Sequence, residues 1–285
     1  MDTNDIHVIL PGSKSISNRW LIVNYLCGNS FRLGSLSDSD DTKLLRRLLK
    51  QLSENKSNTF YCNNAGTVAR FMTALLAITP GTFVLTGDER LKQRPIAPLV
   101  DALRQLGLNV NYNQEEGYFP LFIKGGEPDR KMVTVEPTLS SQFVSALMLV
   151  APSLRSGLTL KMSGKTTSKP YIDMTAQILC NIGVEVKKTK TGGMLSVGAF
   201  PAKLPLREAI CIEKDWSSAS YFYEMAAFLP GTRIRLVGMS LDSVQGDAVV
   251  VDFFAKLGVK TTEVRSPYRR DSRSLRIVGE GKPAS

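Results

Sequence analysis

Four places in this chain of 285 residues start with small polar side chains and run into apolar, helix-period segments: Ser13-Lys14-Ser15, Asn64-Ala65-Gly66-Thr67, Ser140-Ser141-Gln142 and Ser217-Ser218. Ser, Thr and Asn at a helix start cap free backbone N–H groups. The same ends attract anions, because unsatisfied N–H groups and the helix dipole both favour negative charge. Basic side chains accompany them: Lys14, Arg19, Arg70, Arg90 and Arg94. Taken singly, each motif is a cap or a solvated surface. If the helix ends converge, together they make a pocket for a dianion or trianion. Arg90 and Arg94 fall in Asp88-Glu-Arg-Leu-Lys-Gln-Arg-Pro-Ile96, a loop ahead of a helix whose first residue is expected at Pro95. Ser168-Lys169-Pro170-Tyr171 occupies the same slot further on.

Other chemistries lack material. The single histidine, His7, leaves almost nothing for Ser-His-Asp triads, Cys-His pairs or His-based zinc sites. The four cysteines, Cys27, Cys62, Cys180 and Cys211, are far apart with no CxxC, and read as reduced, mostly core thiols of a cytoplasmic protein. Lys and Arg number 36 against 26 Asp and Glu, a formal charge of +10 that favours anionic partners. The basic residues are scattered and not interleaved with aromatics, which leans toward small anions over nucleic acid. With 43% hydrophobic and 22% charged residues the chain reads as a globular domain. No apolar run approaches the ~18–20 residues of a membrane helix. The acidic start, Met1 to Asp5, argues against a signal or transit peptide.

The elements that must position these residues repeat. Gly87, Gly164 and Gly238 end short alternating runs and step by 77 and 74 residues. Gly107, Gly183 and Gly258 close apolar helices and step by 76 and 75. The turns at Gly81, Gly157 and Gly231 step by 76 and 74. A fixed period of this length marks a supersecondary unit, here βαβαββ of ~75 residues. Nearly four copies are expected, the first abbreviated, giving an α/β fold.

These residues resemble the 3-phosphoshikimate 1-carboxyvinyltransferase, or EPSP synthase, family. Leu10-Pro-Gly-Ser-Lys-Ser-Ile-Ser-Asn-Arg19, Asn64-Ala-Gly-Thr67, Arg90-Leu-Lys-Gln-Arg-Pro-Ile96, Ser140-Ser-Gln142, Ser168-Lys-Pro-Tyr171 and Asp215-Trp-Ser-Ser-Ala-Ser220 match its motifs in order. The resemblance runs from Val8 to Gly279. It implies an inside-out α/β barrel of βαβαββ units, with helices inside and sheets outside. Residues 14–206 would be a complete domain on the shikimate 3-phosphate side. Residues 1–13 and 207–285 would be part of a second, incomplete domain. The implied reaction moves the enolpyruvyl group of phosphoenolpyruvate to the 5-hydroxyl of shikimate 3-phosphate, a step of aromatic amino acid biosynthesis in the cytoplasm, with no metal or organic cofactor. By resemblance, Ser140, Ser141 and Ser168 hold the 3-phosphate. Ser15 and Arg19 hold the carboxylate, and Tyr171 lines the ring pocket. Lys14, Gly66, Arg94 and Gln142 face phosphoenolpyruvate, with Asn64 beside them.

The chain also departs from the family. Phe71 follows Arg70 where many relatives have Pro, Lys214-Asp215 replaces a more frequent Gly-Asp, and the segment from Gln51 to Tyr61 is short. The family's acid/base carboxylates lie beyond Ser285. The expectation is a chain that binds shikimate 3-phosphate without turnover, whose uncovered apolar faces, Val249 to Phe254 foremost, promote self-association in a family of monomers. Asp173, Glu213, Asp215 and Asp247 are the carboxylates nearest motif positions, and capping is the ordinary role of the last two. Two other classes fit less well. A UDP-N-acetylglucosamine enolpyruvyl transferase would carry a Cys near Arg94, and none lies between Cys62 and Cys180. An RNA 3′-phosphate cyclase would need a late His. No nucleic-acid or membrane partner is expected.

Overall fold

A computed structural model describes residues 5–135, 140–162, 168–189, 193–204, 209–265 and 273–280. Gly164, Leu206 and the last five residues, which the sequence reading used as markers, lie outside this set. In chain order the elements begin β1 (Ile6–Ile9), α1 (Lys14–Leu26), β2 (Arg32–Gly34), α2 (Asp40–Ser53), β3 (Thr59–Tyr61), α3 (Gly66–Ile78), β4 (Gly81–Thr86), α4 (Glu89–Lys92), α5 (Ala97–Gln105), β5 (Asn109–Tyr112) and β6 (Leu121–Gly125). They continue with β7 (Met132–Val135), α6 (Ser141–Val150), β8 (Leu158–Met162), α7 (Lys169–Asn181), β9 (Val186–Lys188), β10 (Met194–Val197), β11 (Ala209–Cys211) and α8 (Trp216–Phe228). Last come β12 (Arg233–Val237), α9 (Val250–Ala255), β13 (Val259–Arg265) and β14 (Arg273–Gly279).

Three four-stranded sheets share one plan: β3-β4-β6-β5, β7-β8-β10-β9 and β1-β12-β14-β13. In each the first pair is parallel and the other pairs are antiparallel. The third sheet breaks the sequence register. Its place-one strand is β1, which pairs Ile6 with Ile234 through Ile9 with Val237. The strand directly ahead of α8, β11, instead pairs with β2 in a two-stranded sheet. Among the described residues the sheets do not close into one barrel.

Why the helices lie inside is legible in their composition. Along α3 (GTVARFMTALLAI) every residue from Val68 to Ala77 is buried, and along α6 every residue from Phe143 to Val150. A helix that is apolar all round must be covered all round. The strands alternate instead: β7 exposes Met132 and Thr134 and buries Val133 and Val135. Each sheet therefore turns one face to the helices and one to solvent. By contrast α2 buries Leu44, Leu45, Leu48, Leu49 and Leu52 on one stripe, with Asp40 and Asp41 in its first turn. Ser39 caps it, accepting from the Thr42 N–H.

Contacts divide the chain into two compact units. Unit 1 joins the chain up to Ser17, Leu33–Asp38 and the chain from Ala209 onward; unit 2 joins Asn18–Arg32 and Ser39–Glu208. The core of unit 1 is built on Trp216, Tyr223, Ile234, Leu236, Leu275 and Ile277. In it the Asp5 carboxylate, whose side chain is fully buried, takes Arg235 at 3.1 Å and Arg276 at 2.8 Å. Tyr221, Met225 and Phe228 of α8 remain exposed, as do Val249 and Phe253. Val250, Val251 and Phe254 pack against the core, so only part of the Val249 to Phe254 run is uncovered. Of the cysteines, Cys62 is buried, Cys27 half-buried, and Cys180 and Cys211 exposed, so the expectation of mostly core thiols fails. No helix among the described residues is long and apolar enough to cross a membrane.

Candidate substrate-binding site

The N-terminus of α3 gathers two cations. A Cβ added at Gly66 would lie 2.5 Å from Arg94 Nη1 and 2.8 Å from Arg70 Nη1, so both guanidinium groups rest on this backbone. Only glycine leaves room for that approach. Arg70 is buried; its Nη1 donates to Gln142 Oε1 at 2.7 Å and its Nη2 to the Pro95 carbonyl at 3.1 Å. Its plane also lies over the Phe143 ring, 5.1 Å from the centroid. Burial first, and the nearby Arg94 charge second, pull its pKa down to about 10. Arg94 is exposed, and its guanidinium has no partner among the described residues. Two like charges beside each other, at the positive end of a helix, form a site that an anion would relieve.

A second buried arginine sits deeper in unit 2. Arg19, on α1, is 2% exposed. Its Nε donates to Thr175 Oγ1 at 2.7 Å, and Nη2 to Ser145 Oγ at 3.1 Å and the Tyr171 carbonyl at 3.4 Å. The guanidinium stacks over the rings of Phe71 and Tyr171, with centroids at 5.5 and 5.7 Å. Burial lowers its pKa to about 10. Arg19 thus ties α1 to α3, α6 and α7, while Arg70 ties α3 to α6 and to the loop before α5.

The structure brings some of the sequence candidates together. Gly66, Arg94 and Gln142 meet through Arg70, and Tyr171 meets Arg19. Ser140 caps α6 through the Gln142 N–H, and Ser141 is buried in the first turn. Lys14, exposed, and Ser15, half-buried, begin the helix that carries Arg19 one turn on. Asn64 is exposed in the turn ahead of α3, whose cap position is Ala65 with no side-chain bond. Ser168 takes the cap position of α7 in a left-handed conformation (φ 55°) with no side-chain capping bond. Pro95 does not open α5; that helix starts at Ala97, with Pro98 in its first turn. Sequence reasoning missed Ser145 and Thr175. Each sits four residues after a candidate, Ser141 or Tyr171, and is a polar residue on the buried side of its helix. A cavity of about 800 Å³ lies at the other end of α3, lined by Ile78, Asp129, Arg130 and Arg155, and none of the candidates borders it.

Residues 50–280 match the family model described as EPSP synthase (3-phosphoshikimate 1-carboxyvinyltransferase). The chain belongs to the EPSP synthase family. A 3-phosphoshikimate 1-carboxyvinyltransferase of Bacteroides fragilis is 41% identical over 252 residues, covering 88% of this chain and 60% of the relative. One from a Sulfurovum species is 38% identical over 280 residues, covering 89% and 64%. The chain therefore spans less than two thirds of the length of these EPSP synthase relatives. Among solved structures, an EPSP synthase from Acinetobacter baumannii superposes with a TM-score of 0.74 at 19% identity, covering 97% of this chain and 66% of that one. The enolpyruvyl transferase NikO from Streptomyces tendae gives 0.64 at 11% identity, with the same coverages. The shared architecture is the inside-out α/β fold of these enzymes.

Proposed function

We propose that the chain serves the EPSP synthase reaction, with unit 2 and the first turn of α1 that leads into it binding shikimate 3-phosphate and the phosphate end of phosphoenolpyruvate. In that reaction the bond from carbon 2 of phosphoenolpyruvate to its phosphate oxygen breaks. The 5-oxygen of shikimate 3-phosphate takes its place on carbon 2, and the hydroxyl proton leaves with inorganic phosphate. The observation that carries the reading is the convergence of Arg70 and Arg94 on the Gly66 backbone, with no carboxylate partner for either among the described residues. An Arg fork suits phosphate and carboxylate oxygens.

The other roles follow the same logic. Ser140, Ser141 and Ser168 stand at the starts of α6 and α7, where hydroxyls and backbone N–H groups favour the 3-phosphate. Arg19, with Ser15 one turn earlier, serves the ring carboxylate, and the Tyr171 ring flanks Arg19. Lys14 adds a cation for charge that develops in transfer.

A second reading, binding without turnover, is favoured by the carboxylates. Asp215 caps α8 through Ser218, Glu213 accepts from Ser243 and Gln245, Asp247 from Ser217, and Asp173 pairs with Lys188. Each already has a structural role. Calorimetry with shikimate 3-phosphate and with shikimate, beside a phosphate-release assay with phosphoenolpyruvate, tests both readings. Preference for the phosphorylated ligand is expected; equal affinity for the two would overturn the site assignment. Phosphate release at a rate near that of a longer relative would rule out the binding-only reading.

A further inference from the structure

Arg70 is held unlike an arginine that merely braces a core. Its two terminal nitrogens spend their bonds on neutral acceptors from two different elements, Gln142 Oε1 and the Pro95 carbonyl. Its Nε is buried, with no partner among the described residues. A buried donor left unsatisfied, on a cation with no counter-charge, costs stability. The position of the bonds indicates what that cost supports. A guanidinium has five N–H donors and no acceptor. The amide of Gln142 can meet it only through Oε1, so the Gln142 Nε2 group must point away from Arg70. Among the described residues that Nε2 group has no partner. The bond to Pro95 likewise fixes the backbone directly after Arg94. Phe143, the neighbour of Gln142 on α6, holds the guanidinium plane from one face.

We propose that Arg70 is the positioning residue of the anion site. It sets the amide of Gln142 with its N–H₂ as a free donor, and it anchors the loop that delivers Arg94. The inference rests on reading this site as the phosphoenolpyruvate side. The result is a lining made of donors: the Arg94 fork, the Gln142 amide and the N–H groups at the start of α3. A fully ionised phosphate or carboxylate matches such a lining, and a ligand oxygen that keeps its proton does not, because two donors would then face each other. Without Arg70, Gln142 can flip and present its carbonyl, turning one donor into an acceptor.

The experiment uses the whole chain with selectively labelled glutamine, and three variants: Arg70→Gln, Arg70→Lys and Arg94→Gln. Nuclear magnetic resonance follows the Gln142 side-chain N–H₂ pair, and calorimetry follows phosphoenolpyruvate. In the wild type the Gln142 pair should be shifted from the solvent-exposed glutamines. In Arg70→Gln it should move to the exposed position, phosphoenolpyruvate should bind ~10-fold more weakly, and Tm should hold or rise. Arg70→Lys keeps a charge but not the fork, so it should restore neither the resonance nor the affinity. Arg94→Gln should lose affinity and leave the Gln142 resonance in place. An unmoved Gln142 pair in Arg70→Gln, wild-type behaviour of Arg70→Lys, or loss of folding in both Arg70 variants would overturn the proposal. Failure of the wild type to bind phosphoenolpyruvate would instead remove the functional reading, and the Gln142 resonances would still decide the role of Arg70.

Discussion

Arg19 Nε donates to Thr175 Oγ1 at 2.7 Å, joining residues 156 apart in sequence inside a helical core. Thr175 also bonds Ser145 Oγ at 3.1 Å and the Tyr171 carbonyl at 2.8 Å, so one hydroxyl organises the cation, α6 and its own helix. Replacing Thr175 by Val keeps the shape and removes that hub. We expect Thr175→Val to cost ~1.5–3 kcal/mol, the range for a hydrogen bond to a charged group. Urea unfolding measures it, and a variant as stable as the wild type would contradict this account of the Arg19 site.

The depressed pKa of Arg19 carries a sign. Burial favours its neutral form in the fold relative to the unfolded chain, so its contribution to stability improves as pH rises from about 10 toward the ordinary arginine value. At pH 7 the charge is a net cost that an anion offsets. Shikimate 3-phosphate should therefore raise Tm more in the wild type than in Arg19→Gln. Equal shifts in a thermal melt would show that Arg19 does not face the ligand.

Gly66→Ala tests the space at the start of α3. The added methyl would fall 2.5 Å from Arg94 Nη1, the far end of an exposed side chain that can swing away, and 2.8 Å from Arg70 Nη1, which Gln142 and the Pro95 carbonyl hold in place. Affinity for phosphoenolpyruvate should fall ~10-fold, as charge-assisted contacts are displaced, and Tm should drop because buried Arg70 must shift. Calorimetry and a melt on the same sample decide it; unchanged affinity would move the anion away from α3.

Asp5 is the counter-charge for two arginines of the third sheet. Asp5→Ala removes a buried carboxylate that both Arg235 and Arg276 contact, at a cost of ~3 kcal/mol. Hydrogen exchange should show lost protection in β12 and β14, with β4 and β6 unaffected. Protection lost equally in all four would mean the effect is not local.

Two large exposed apolar side chains, Phe228, 76% exposed, and Phe253, 61% exposed, should drive self-association. Analytical ultracentrifugation should find oligomers that grow with concentration and shrink in the Phe228→Ser and Phe253→Ser double variant. A wild-type monomer throughout would show that these side chains are tolerated in water.

The repeat was readable because its signals are local: glycine turns, helix period and strand alternation recur whatever the neighbours do. The proposed anion site was half readable. Gly66, Arg94 and Gln142 stand out as motif residues, but the Arg70 bond to Gln142 spans 72 residues and no spacing rule announces it. Ser145 and Thr175 were silent for the same reason, since a polar residue on the buried side of a helix has meaning only once a buried cation is known to face it. The start of α5 was misread because Pro95 and Pro98 both satisfy the preference of proline for a first helical turn. The first strand of the third sheet was not assigned from the sequence. Sequence order favours β11 ahead of α8, and nothing in Ile6–Ile9 says that it waits for β12.

That strand sets an order of events during synthesis. Every segment of unit 2 is made before β12 exists, whereas β1, which precedes unit 2 in the chain, has no parallel neighbour until Arg233–Val237 appear. Closing so long a loop is slow compared with local pairing. Unit 2 should thus become protease-resistant on stalled nascent chains while β1 is still cleavable, so a strand made before unit 2 is held until after it has folded.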